Sequence, residues 1–272
     1  KVTEKVVPFM GILYVASALI VLIVNFDQIG WAFGQIFAGA FTGLGVAGGM
    51  VGALIQGFRR AAFSNEAGVG SAAIAHSAVR TKEPITEGVV SLLEPFIDTV
   101  VICTMTALVI TISGVLIVNP ETGLFVLDEA GTAISTVGDV SGVQLTSAAF
   151  ATGLSWFPFV LAIAVVLFAF STMISWSYYG DRCANYLFGP KAILPFKAVF
   201  VVMHFVGAVL AVTTIWDLGD VALSLVTIPN VIALVLLSGT LKKLTDSYFS
   251  RKPWVENEEA HKKAVEEGRL KR

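Results

Sequence analysis

The stretch GAFTGLGVAGGMVGALIQG, Gly39 to Gly57, places glycine at Gly39, Gly43, Gly45, Gly48, Gly49, Gly52 and Gly57. Glycine inside a helix costs about 1 kcal/mol relative to alanine, so this density weakens any helix that contains it. Two readings compete. Gly39 and Gly43, Gly45 and Gly49, and Gly48 and Gly52 each have the spacing that lets two helix backbones touch. Alternatively the helix is discontinuous: residues 31–42 make about 18 Å and 50–60 about 16 Å, together just enough to cross a bilayer core of about 30 Å. Residues 43–49 would then be unwound at mid-depth. Irregular backbone is tolerated there only inside protein or along a cavity, where its free carbonyls and amides become ligands.

The composition around this stretch belongs to lipid. Hydrophobic residues are 56% of the 272 and charged residues 14%, against roughly 25% charged in a soluble domain. Lys and Arg number 18 and Asp and Glu 20, and 15 of these 38 fall in residues 242–272. Apolar windows long enough to span occur at 6–25, 85–118, 154–179, 198–214 and 221–241. With 31–60 they make six crossings in a core of residues 1–241, followed by a charged tail at 242–272. The window that opens at Pro84 is too long for one perpendicular crossing, which predicts a tilted helix with Pro95 as a kink.

Orientation follows from Lys and Arg, which cytoplasmic ends carry in excess. Lys1, Lys5, Arg59, Arg60, Arg80, Lys82, Arg182, Lys191 and Lys197 alternate in the way six crossings require. Residues 119–152 hold no Lys or Arg, so that loop is expected outside, folded back as short helices, with Asp217 and Asp220 outside as well. The start and the tail are expected in the cytoplasm of a multi-pass protein of the cell (inner) membrane, surrounded by lipid.

Several classes fall away. A net charge of −2 with no basic cluster outside the tail argues against a nucleic-acid partner. Cys103 and Cys183 lie 80 residues apart, with no metal-type spacing. An intramembrane enzyme built on Glu94 and Asp98 lacks a zinc-ligand pair, an activated serine arrangement and a phosphate loop, so the chain is read as a non-enzyme. Because it opens Lys-Val-Thr-Glu-Lys, it is expected to be the C-terminal part of a longer protein.

Three groups of polar residues sit where lipid discourages them. Ser171 and Thr172 follow Phe168 in the middle of an apolar span. Each hydroxyl has an ordinary use, bonding the carbonyl one turn back. The other use is a sodium site made of two hydroxyls and the Phe168 carbonyl, because a hard cation wants oxygen. Glu94 and Asp98, four apart on one helix face, are intramembrane carboxylates and so functional suspects. They are expected to form a gating or structural ion pair with Arg59 or Arg60, in preference to a second cation site or simple exposure to the inner vestibule. His76, His204 and His261 are read as having no partner at ligand spacing. The third group is Ser64-Asn65-Glu66, which follows two arginines and precedes a small-residue helix expected from Ser71 to Ala78. It is expected to form a cytoplasmic loop and short helix that plug the inner mouth, in preference to a re-entrant pore element, because Arg80 and Lys82 keep its far end inside.

The run GFRRAAFSNEAGVGSAAIAH, Gly57 to His76, the opening KVTEKVVPFM, Lys1 to Met10, and the order of spans resemble the alanine or glycine:cation symporters, the sodium:alanine symporter family. The resemblance implies an all-α membrane protein with the leucine-transporter-like fold, two inverted repeats of five helices, the first helix of each broken. Residues 6–25 would be the last helix of repeat one and residues from Trp31 onward all of repeat two. The remaining partner would be the missing N-terminal helices of the same protein. The implied function is sodium-coupled symport of a small neutral amino acid, alanine or glycine, by alternating access. A proton-coupled carrier or a channel on the same scaffold is the alternative. Sodium is the co-transported ion, and Phe168, Ser171 and Thr172 fall where this fold holds it. The implied substrate pocket is Phe41, Thr42, Gly43, Gly48 and Gly49, with freed carbonyls facing an ammonium group, Phe41 as a roof and the glycines leaving room for a very small side chain.

Overall fold

The chain is described here by a computed structural model in which residues 3–41, 50–66, 68–127, 133–138, 140, 142–255, 259, 263 and 266 are defined. Residues 7–24 carry no charged side chain, so the backbone satisfies its own hydrogen bonds most cheaply as helix. The first helix, α1 (Thr3–Val24), accordingly runs 22 residues, about 33 Å at 1.5 Å per residue. It ends where the Asn25 amide donates to the Val21 carbonyl at 2.8 Å. One 3₁₀ turn, Phe26–Gln28, then leads straight into α2 (Ile29–Phe41). After residues 42–49, α3 (Met50–Ser64) continues the chain, and α4 is a short helix at Ser71–His76.

The long helix α5 (Pro84–Ile112) is interrupted where the sequence expects. Pro95 has no N–H to give and crowds the carbonyl one turn back. The helix answers with a π-helical stretch at Phe96–Cys103, widening by one residue per turn before resuming as α-helix at Thr104. Asp98 and Thr99 ride on this widened segment.

The loop that follows meets its expectation in part. Among the described residues of 115–136 the backbone makes isolated antiparallel bridges pairing Leu116 with Ser135, Val118 with Phe125 and Leu127 with Ala133. The β-branched residues Val115, Ile117, Val118, Val126 and Ile134 favour extended backbone, and Ile117 exchanges backbone bonds with Val126 and Ile134 at 2.9 Å. Among the described residues of the loop, α6 (Gly142–Gly153) is the short helix. The bridged segment is fastened to the bundle where the buried Gln35 of α2 donates to the Gly123 carbonyl at 2.7 Å.

Beyond α6 come α7 (Phe157–Phe188), α8 (Ile193–Val209) and α9 (Val212–Arg251). The reversal between the last two lies at Leu210 and Ala211, both extended. The apolar windows had placed it near residues 215–220, where Asp217 and Asp220 looked like loop residues. Asp220 can stay helical because an arginine meets it, as described below. The helix α9 passes residue 241 unbroken and stops at Lys252, whose φ is +50°. Five helices among the described residues are long and apolar enough to cross a membrane: Val7–Val24, Pro84–Ile112, Phe157–Phe188, Pro190–Val209 and Val212–Arg251. The molecule is an all-α, multi-span membrane bundle.

Its core lies at one end, where α1, α2, α5, α6 and α7 converge. Ala18, Val21, Ala32, Val109, Ala149, Phe150 and Phe157 are buried there. The Phe150 and Phe157 rings stack at 4.2 Å, with Tyr14 tilted 5.4 Å from Phe150. Lipid tails are as apolar as these rings, so close van der Waals contact rather than escape from water holds such an interface. At the other end of α7, Gly180 lies beneath the Phe196 ring of α8. A Cβ there would sit 2.0 Å from the ring, so only glycine permits this helix pair to approach so closely.

Candidate functional site

The polar run after α3 folds into a tight turn that ties four long helices together. Its backbone reverses through Glu66, Gly68 and Gly70, at φ +56°, +84° and +100°, conformations that side chains other than glycine's resist. A Cβ on Gly70 would also lie 3.0 Å from the Asn230 side chain. Asn65, Val69 and Ser71 are buried in consequence.

Every polar group in such a place needs a partner, because an unpaired one loses its hydration without compensation. The Ser64 hydroxyl donates to Asp98 at 2.5 Å and the Asn65 amide to the Thr99 hydroxyl at 2.9 Å, fastening the turn to the π-helical part of α5. Glu66 accepts from the Ser71 hydroxyl and, at 3.0 Å, from the indole N–H of Trp176 on α7. The Asn230 amide of α9 donates to the Gly68 carbonyl at 2.8 Å. One short loop thus holds α3 and α4 to α5, α7 and α9.

A second cluster lies one helix further on. His76, the last residue of α4, places Nδ1 2.7 Å from Glu87 and Nε2 3.4 Å from Glu94, both on α5. The bond to Glu87 raises the His76 pKa above its ordinary value, burial opposes this in part, and Glu94 adds to the rise. Beside the start of α5, Arg251 grips Glu83 with two bonds, at 2.9 and 3.1 Å, and holds that carboxyl below its usual pKa. Here α9 is also pinned by the Thr86 hydroxyl, which donates to Tyr248 at 3.1 Å.

The arginines did not go where the sequence pointed. Arg59 pairs with Asp220 of α9 at 2.5 Å, and Arg60 lies over the Trp216 ring at 5.1 Å and the Phe63 ring at 5.6 Å. The ion pair expected between Glu94 or Asp98 and these arginines is therefore replaced, with Asp98 taken by Ser64 and Glu94 by His76. One pair of expected sides is not jointly met. Arg59 and Arg60 were expected inside and Asp217 and Asp220 outside, yet Arg59 and Asp220 share one level. Measured along α9, Asp220 is about 46 Å from Arg251 at 1.5 Å per residue, so the two ion pairs mark opposite ends of the helix.

Of the expected substrate residues, Phe41 ends α2, exposed and stacked on Phe37 at 6.0 Å. Thr42, Gly43, Gly48 and Gly49 lie outside the described residues. In α7 the Ser171 hydroxyl donates to the Phe168 carbonyl at 2.8 Å, and Ser175 donates to the Ser171 carbonyl at 3.1 Å. Thr172 is exposed on the same helix. The Phe168 and Ser171 oxygens are thus adjacent, in the one-turn-back bond that was one of their two readings.

Trp176, Thr99, Asn230, His76 and Glu87 were not picked out as site residues. Trp176 looked like an interfacial aromatic and His76 like a residue without partners. Two signals were present: Asn230 is an amide within an apolar helix, and Glu87 and Glu94 are seven residues apart, hence on one face.

Residues 1–263 match the model of the sodium:alanine symporter family. The chain is 37% identical to the sodium/alanine symporter AgcS of Methanococcus maripaludis over 91% of its own length and 51% of that protein's. It is 34% identical to the probable sodium/glutamine symporter GlnT of Bacillus subtilis, over 93% of the chain and 49% of the relative. It is 32% identical to the sodium/proton-dependent alanine carrier protein of Bacillus sp. PS3, over 87% and 54%. The chain spans about half the length of these curated relatives. No solved structure matches it.

Proposed function

The chain belongs to the sodium:alanine symporter family, a family of membrane transporters and not of enzymes, and on that premise we propose that it is the half of a sodium-coupled symporter for a small neutral amino acid that carries the second inverted repeat. The observation that carries this reading is the family match across residues 1–263, together with relatives named for sodium and alanine.

In this reading α2 and α3 are the two halves of the broken helix that opens the second repeat, residues 31–60. The carbonyls freed around residues 40–43 accept the substrate ammonium, Phe41 closes the pocket, and Gly48 and Gly49 keep it small enough for alanine or glycine. Sodium is held by the Phe168 carbonyl and the Ser171 and Thr172 hydroxyls, oxygen ligands of the kind a hard cation takes. Binding of both cargoes biases the bundle between inward-open and outward-open forms, as alternating access requires. The contacts that change in that motion are the Asp98–Ser64 bond and the Arg59–Asp220 pair, which join α3 to α5 and to α9. The tail, residues 242–272, lies in the cytoplasm.

The test is uptake of radiolabelled alanine by the full natural chain in proteoliposomes, with external sodium replaced by potassium or choline. Uptake should collapse on replacement and be competed by unlabelled alanine or glycine. Undiminished uptake in choline would remove sodium coupling. No alanine accumulation under any ion gradient would remove the substrate assignment.

A further inference from the structure

Both ring nitrogens of His76 are engaged by carboxylates. Nδ1 is 2.7 Å from Glu87 and Nε2 3.4 Å from Glu94, and the imidazole and Glu87 side chains are 28% and 19% exposed. A neutral imidazole has one donor and one acceptor. It can serve only one of these carboxylates and must turn a bare nitrogen lone pair toward the other. The imidazolium donates to both. The geometry therefore asks for a bound proton, and it does so at the joint between α4 and the first turns of α5.

We propose that His76, Glu87 and Glu94 form a proton-binding site that fastens the C-terminal end of α4 to α5 and releases it as the pH rises. The proton acts here as a latch and is not itself carried across the membrane.

The surroundings fit this role. On α5 the charged groups facing His76 are Glu87 and Glu94, while Glu83 is occupied by Arg251. On α7 the groups along α4 are Tyr178, Arg182 and Cys183, which with Ala73, Ile74 and Ser77 line a groove of about 680 Å³. Arg182 is stacked on Tyr178 at 4.8 Å. From α9 the turn preceding α4 receives Asn230, which is uncharged. Within that turn Glu66 is engaged by Ser71 and Trp176. The two carboxylates that contact the ring set its preference, and they raise the His76 pKa. For a raised histidine the sign is definite. The tie contributes fully below the ordinary histidine value of about 6.5 and is lost as the pH climbs through the raised value.

The latch acts on one end of α4. Ser71, which bonds Glu66, begins the helix that His76 ends. Letting go of α5 at His76 frees the far end of α4, while the turn before it stays tied to α5 through Ser64–Asp98 and Asn65–Thr99 and to α7 and α9 through Glu66 and Gly68. Protonation thus decides whether the His76 end of α4 is fastened to α5.

The chain has three histidines, His76, His204 and His261, so histidine-labelled full chain in nanodiscs allows direct titration by NMR, with His76→Gln identifying the resonance. The His76 midpoint should lie above about 6.5, fall toward it in Glu87→Gln, and fall by less in Glu94→Gln. Amide exchange across residues 71–79, corrected for its intrinsic pH dependence, should accelerate as the pH passes that midpoint and stay fast throughout in His76→Gln. A midpoint at or below 6.5, or one indifferent to Glu87→Gln, overturns the site. Exchange that follows the same course in wild type and His76→Gln overturns the latch. Glu94→Gln keeps the shorter contact and so provides a folded variant if His76→Gln misfolds. The regulatory part rests on the alanine reading: with equal pH on both sides, sodium-driven uptake should change through the same midpoint in wild type and not in His76→Gln. The titration and exchange arms stand if no alanine is taken up, which separates failure of the site from failure of the substrate assignment.

Discussion

The indole N–H of Trp176 donates to the Glu66 carboxylate at 3.0 Å across 110 residues of sequence. The same carboxylate accepts from the Ser71 hydroxyl, so one acidic side chain in a glycine-bounded turn closes its own loop and anchors it to α7. Trp176→Phe keeps an aromatic ring and deletes the donor, and should cost about 1–2 kcal/mol. Glu66→Ala strands two donors and should cost about 2–3 kcal/mol. Thermal unfolding of the purified protein would measure both, and the double variant should fall short of additivity by at least about 0.5 kcal/mol. Full additivity would mean that the two residues act separately.

Gly70 is strained for any other residue and also crowded. Gly70→Ala combines a φ of +100° with a Cβ 3.0 Å from Asn230. Its backbone cost alone is about 1–2 kcal/mol. Adding Asn230→Ala should relieve the crowding but leave the backbone strain, so Gly70→Ala/Asn230→Ala should remain less stable than Asn230→Ala. Equal unfolding temperatures for those two proteins would show that the left-handed turn is not required.

The Arg59–Asp220 pair is partly exposed on the arginine side, 46% against 18% for the aspartate. It should therefore be worth more than a surface pair and less than a fully buried one, about 1–3 kcal/mol. Asp220→Asn should lower the amount of folded protein in the membrane, and Arg59→Asp with Asp220→Arg should recover much of it. Quantitative immunoblotting of membranes from cells expressing each variant would decide. No recovery in the swapped protein would mean that the residues matter for something other than their mutual attraction.

Thr172→Val preserves β-branching and removes one oxygen from the proposed cation site. Losing one neutral ligand should weaken sodium binding by about 1–3 kcal/mol, or about 5-fold to 150-fold. Ser171→Ala should act in the same direction. Thr104→Val is the control, since that hydroxyl reaches only the Thr99 carbonyl at 3.5 Å. The half-saturating sodium concentration for alanine uptake is the measurement. An unchanged value in both α7 variants would leave the Ser171–Phe168 bond as ordinary helix chemistry.

Much of the bundle is legible locally. The apolar windows around α1, α5 and α7 correspond to helices because hydrocarbon forces the backbone to satisfy itself, and Pro95 announces the π-helical segment that begins at Phe96. The polar turn at residues 64–71 is legible as something that cannot face lipid. The α8–α9 reversal was misplaced because Asp217 and Asp220 resemble loop residues to any method blind to Arg59. The bridged segment at 115–136 was misjudged because its β-branched residues and its glycines send opposite signals over a short window.

What the sequence determined by itself was the solvent in which the chain folds, the lengths of its spans and the residues that could not be left without partners. Those are properties of composition and of runs a single helix long. Tertiary structure decided which partner each polar residue met. Arg59 reached Asp220 161 residues away, Glu66 reached Trp176, and His76 took two glutamates. In a low-dielectric interior a buried charge or amide must pair, so the sequence can show that a bond is owed; only the packing of α3, α4, α5, α7 and α9 brings one particular donor within about 3 Å of one particular acceptor.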